Sequence, residues 1–105
     1  MSENDTPITR EKLAGEVGSI DWALLAPHAR RDALILIHPD VDLVDAAFAI
    51  AHDDATQVQT WVAAGQLTKP ALEDFTRFES GGKTFFQFVV IHPFVVATEI
   101  IIDDD

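Results

Sequence analysis

The chain contains no cysteine, only three serines, and seven basic residues against eighteen acids in 105 positions. Each scarcity removes a class of function. Without cysteine there is no disulfide, no thiolate nucleophile, and no thiolate-bound zinc or iron–sulfur centre. Scattered lysines and arginines cannot displace the counterions of a nucleic acid, and they give no purchase on an anionic membrane. None of Ser2, Ser19 and Ser80 sits in a G-x-S-x-G elbow. No G-x-G-x-x-G or Walker sequence cradles a phosphate. Residues 1–15 hold no basic stretch followed by an apolar run, so no secretory leader is expected and the chain reads as cytoplasmic.

What remains is an acidic globular chain. The formal net charge is −11 and 48% of the residues are hydrophobic, too apolar for a disordered segment. The length fits one domain. We expect a frayed tail over 1–7, a single α+β domain over 8–102, and a solvated acidic tail over 103–105.

Apolar spacing predicts a short helix over about 10–17, with Thr9 as cap and Gly18 as stop. Ser19 or Asp21 caps a second helix carrying Trp22 and Leu25, which Pro27 kinks or restarts. Ala33–Ile37 is a short buried strand closed by His38-Pro39. Asp40 or Asp42 opens a third helix. Asp54-Ala55-Thr56-Gln57 has the form of a capping box ahead of Val58, Trp61 and Val62, and Gly65 stands where a left-handed stop belongs. Thr68 is the expected cap of a helix with Pro70 in its first turn, ended by Gly81-Gly82. The run from Phe85 to Ile102 is long and apolar, but its Phe, Val and Ile content and Pro93 divide it into two strands rather than a membrane span. The order α-α-β-α-α-α-β-β implies a small, mostly antiparallel sheet of about three strands packed by a layer of four to five short helices.

Two constellations could carry chemistry. His38, Asp40, Asp42, Asp45 and His52 offer imidazole and carboxylate ligands for a divalent cation. His38 and His92 lie in two copies of Ile-His-Pro, and both rings would meet if the two strands ended at one sheet edge. Helix capping accounts for the same aspartates without a metal. The residues therefore favour a non-catalytic module without cofactor over a metal-dependent enzyme using these six side chains. Apolar residues from Phe94 to Ile102 exceed what a small sheet covers, which suggests a homodimer through the C-terminal strand region, with Asp103–Asp105 limiting further association, or an unidentified protein partner.

Asp42-Leu43-Val44, Ala49-Ile50-Ala51, Asp53-Asp54, Val58, Trp61 and Ala63-Ala64-Gly65 resemble the middle of domain-of-unknown-function family 2288. Trp22 with Leu25-Ala26-Pro27-His28, and Val89-Val90 with Pro93, fit the same pattern. The resemblance runs over about Ile8–Glu99 and rests on the ordered set rather than on one motif. It implies a small stand-alone bacterial cytoplasmic protein and nominates no catalytic residue. Phe94 replaces an aromatic, often Trp, that follows the late proline in that family, and His38 and His92 are not among its features.

At −11 the folded chain repels itself. Neutral salt screens that repulsion, so the melting temperature should climb between low and high sodium chloride. A flat profile in differential scanning calorimetry would remove self-repulsion as a significant force.

Overall fold

A computed structural model describes residues 8–80 and 84–100. The elements are α1 (Arg10–Glu16), β1 (Gly18–Asp21), α2 (Trp22–Arg30), β2 (Leu34–Ile37), α3 (Leu43–Ala51), α4 (Ala55–Ala63), β3 (Leu67–Thr68), α5 (Leu72–Ser80), β4 (Phe85–Ile91) and β5 (Phe94–Glu99).

Four helices begin on a side-chain oxygen that accepts an otherwise orphaned backbone N–H. Thr9 accepts from Lys12 and Asp21 from Leu24. Asp42 accepts from Val44 and Asp54 from Gln57. The fifth differs from expectation. Thr68 lies in β3 and Pro70 precedes α5, whose first turn is held by the Ala71 N–H donating to Asp74 Oδ2 at 2.8 Å. This is the reverse half of a capping box. Pro27 sits inside α2 without dividing it. Gly81-Gly82, Lys83 and the stretch 101–105 fall outside the described residues.

Three helices end on a residue in the left-handed region, each with the paired backbone bonds of a Schellman turn. Gly65 (φ 75°) is the expected one. The other two are Asp32 (φ 63°) and Asp53 (φ 55°). At Asp53, the Asp54 N–H reaches Ala49 O at 2.9 Å and the Asp53 N–H reaches Ile50 O at 3.2 Å.

The sheet has five strands in the order β1-β4-β5-β2-β3. β2 runs parallel to β5 and the other neighbours are antiparallel. The α+β class expected from sequence holds, and the pairing is mostly antiparallel, in three of the four neighbour pairs. The sheet is mixed with five strands rather than about three, and the single helical layer needs correcting. Gly18–Asp21 and Leu67–Thr68 are strands because they border Phe85–Phe88 and Leu36–Ile37. Neither carries an apolar run of its own. Helices cover both faces. Ile35, Ile37, Val89 and Val96 point to one side, against Leu13 of α1 and Leu43, Ala46 and Ala47 of α3. Leu34, Phe86, Val95 and Ala97 point to the other, against Trp22, Leu25 and Ala29 of α2 and Phe78 of α5. This is the period-two alternation of a pleated strand with apolar groups directed to both faces.

β5 is consequently interior. Val95, Val96, Ala97 and Thr98 are all buried, so the strand expected to be uncovered is covered by its neighbours and by helices. Thr98 Oγ1 is the buried side-chain polar atom without a partner among the described residues. At Gly18 a side chain would press on Phe88, because an added Cβ stands 3.0 Å from its ring.

An aspartate in left-handed conformation at a helix C-terminus is strained and faces the negative end of the dipole. Asp53 is exposed, and Asp53→Gly should stabilise the fold by about 0.5–1 kcal/mol, raising the melting temperature by a few degrees. An unchanged or lowered melting temperature would contradict the assigned turn.

Candidate functional site

The six side chains singled out for metal binding do not converge. His38 follows β2, its N–H donates to Gln66 O at 2.8 Å, and its Nδ1 accepts from the Asp40 N–H at 3.0 Å. The Asp40 carboxylate lies 3.7 Å from the same nitrogen, beyond hydrogen-bond distance. Asp42 is the cap of α3, and His52 closes the far end of that helix. Ten residues of helical rise separate them by about 15 Å. Asp45 receives a hydrogen bond from Arg10 Nε at 2.8 Å, and that guanidinium lies 4.2 Å from the centre of the Phe48 ring. His52 Nε2 donates to Ile8 O at 2.7 Å with its ring 4.4 Å from Phe48. These contacts dock the start of α1 on α3.

His92 is at the other end of the sheet from His38. Because β2 and β5 are parallel (Leu34 beside Val95, Ile37 beside Thr98), His38 is level with Glu99, whereas His92 precedes Phe94. At about 3.3 Å per residue the two are some 15–20 Å apart along the strands. The repeated Ile-His-Pro therefore marks two strand ends and not one site. Among the described residues no three His, Asp or Glu side chains stand close enough to hold a metal ion.

The polar clusters that do form are of three kinds. Near the carboxyl end of β2, Arg77 bridges Glu99 (3.4 Å) and Asp74 (3.7 Å) and lies 4.3 Å from the centre of the Phe78 ring. It borders a cleft of about 160 Å³ with His38 and Gln66. Between α2 and α5, Glu79 Oε2 accepts from both Trp22 Nε1 and Arg30 Nη2 at 3.3 Å, beside a cleft of about 420 Å³. Trp22 itself is 5% exposed and packs at a tilt against Phe75, Phe78 and Phe86, as a core residue does. The third cluster, His28, Arg31 and His92, surrounds an apolar cleft of about 300 Å³ where α2 ends. Sequence reasoning missed it. The signal available was the cluster of His28, Arg30 and Arg31 at the end of α2.

The profile of the family described as Protein of unknown function (DUF2288) matches residues 8–99. The chain belongs to the DUF2288 family. Among solved structures it is similar to the NMR solution structure of PA1075 from Pseudomonas aeruginosa, at 32% sequence identity with a TM-score of 0.77. That alignment covers 100% of this chain and 97% of the other. No curated protein matches the chain. The DUF2288 residues that carried the resemblance have structural roles here. Asp42 and Asp54 cap helices, Gly65 ends one, and Trp22 and Leu25 anchor a core. No helix among the described residues is long and apolar enough to cross a membrane.

Adding zinc, manganese or magnesium should leave the melting temperature unmoved, since a ligand that binds only the native state raises it. A rise that His38→Ala abolishes would establish the metal site that this geometry argues against.

Proposed function

We propose that this DUF2288 protein is a non-catalytic interaction module that pairs with a second copy of itself through the outer face of α4 and the adjoining edge strand β3. The observation that carries the reading is a local absence of charge. From Ala55 to Thr68 no residue is charged, in a chain where 24% are. α4 contributes no fully buried residue and rests on the domain through half-buried Val58 and Trp61. Ala55, Thr56, Gln59, Thr60, Ala63 and Thr68 of the same stretch are exposed, and Val62 is 50% exposed. β3 adds the free edge of the sheet.

Charge depletion at the centre of a contact is the compositional mark of protein interfaces. Two copies at −11 each repel over most of their surfaces, so they can approach only where charge is missing. A cationic partner would instead seek the acidic surface and would need no neutral helix. The reading relocates the self-association expected from sequence, from the C-terminal strand to α4. It also gives a use to a helix that adds little to the core.

Size-exclusion chromatography with light scattering should give twice the 11.5 kDa chain mass at high protein concentration and physiological salt. Val62→Asp, on an exposed face, should return the mass to that of one chain without loss of fold. A monomer at all concentrations, or a dimer indifferent to Val62→Asp, would overturn the assignment.

A further inference from the structure

Arginines in so acidic a chain should find carboxylates, and three of the four do among the described residues. Arg10 meets Asp45, Arg30 meets Glu79, and Arg77 meets Asp74 and Glu99. Arg31 does not. Its Nη2 donates to His28 Nδ1 at 2.8 Å, with that ring nitrogen as the acceptor. The pair forms one wall of the 300 Å³ cleft, and His92, carried by the β4–β5 turn, stands in the same lining. Phe88, Val90 and Phe94 supply the apolar surface, with Val90 left 40% exposed. Among the described residues no carboxylate lines the cleft, on a chain with eighteen of them.

Asp32, next to Arg31 in the chain, is held by Lys69 at 3.1 Å. Glu16 lines with Lys12 a separate cleft that also includes His92 and Val90. Carbonyls at the end of α2 are largely turned to backbone partners. Pro27 O accepts from the Arg31 N–H, His28 O from the Ala33 N–H, and Ala29 O from the Asp32 N–H. Three of the last four helical carbonyls are thereby satisfied.

We propose that this cleft binds the carboxylate of a small molecule with an apolar body. The Arg31 guanidinium and the imidazoles of His28 and His92 receive the carboxylate, and Phe88, Val90 and Phe94 hold the body. A planar fork of donors matches a carboxylate in two-point fashion. A single negative charge suits one guanidinium. The volume lies at the lower end of small-molecule sites, as a compact ligand requires. This goes beyond the self-association assigned to α4 and does not depend on it.

The test titrates the full chain with phenylacetate while backbone amide shifts are followed by NMR. Phenylacetamide and inorganic phosphate serve as parallel probes. Shifts should cluster at Arg31, Val90 and Phe94 with phenylacetate and be absent with phenylacetamide. Phosphate should bind far more weakly. Arg31→Gln, at an exposed position, should weaken phenylacetate by about tenfold or more, the loss expected for a charge-assisted bond, and Arg31→Lys should recover part of it. A tripeptide ending in phenylalanine, with free or amidated terminus, separates the sources. Binding of the free-carboxylate form supports protein C-termini as the source, and binding of phenylacetate alone supports free acids. Equal response to phenylacetamide, equal affinity for phosphate, or unchanged binding in Arg31→Gln would overturn the proposal. Repeating the titration in Val62→Asp should reproduce the affinity, so failure of the α4 contact and failure of this site are read separately.

Discussion

The architecture depends on one requirement: the central strands must be covered on both sides. Leu34 and Ile35 are neighbours in the chain and lie 0% and 8% exposed in opposite cores. Val95 and Val96 repeat the arrangement. Burying a side chain of this size contributes about 1.5–3 kcal/mol, so neither face can be left to solvent in a domain of this length. The short helices divide accordingly. α1 and α3 take one face, α2 and α5 the other, and only α4 is left on the periphery. The caps at Thr9, Asp21, Asp42 and Asp54 let elements of seven to nine residues persist, since helices that short are marginal without capping and packing.

Much of this local grammar was legible in the residues. The caps at Thr9 and Asp54, the stop at Gly65, the break at Pro93 and the two-sided character of Phe85–Ile91 are chemical signals with short range. The parts that escaped are set by partners distant in the chain. Gly-Ser-Ile-Asp at 18–21 carries no strand signal; it becomes β1 by pairing with Phe85–Phe88. Leu67–Thr68 is a strand only because Leu36 and Ile37 lie beside it. The stops at Asp32 and Asp53 were hidden because glycine is the residue expected in that conformation, and aspartate reads first as a cap.

The same distinction governs the site. A cluster of His and Asp close in sequence looked like a ligand set, but α3 strings Asp42 and His52 along its length, and the parallel direction of β2 and β5 sends His38 and His92 to opposite ends. Strand direction is not written in any tripeptide. The His28–Arg31–His92 cleft, by contrast, joins residues some sixty positions apart and becomes visible only when β4 turns back beside the end of α2. The interaction-module reading favoured by the residues is kept, while attention moves from the His and Asp clusters to two surfaces, one without charge around α4 and one locally basic at the end of α2.

The interior position of β5 has a consequence for biosynthesis. It is the last described strand to leave the ribosome, yet β2 and β4 do not pair with each other and are joined only through it. Until Phe94–Glu99 emerges, the nascent polypeptide holds two half-sheets with raw edges and two unfinished hydrophobic layers. The sheet is therefore completed only when Phe94–Glu99 docks between β2 and β4, which ties the two half-sheets into one cooperative unit. A shortened product ending before Phe94 would expose those edges and become a substrate for chaperones or proteolysis.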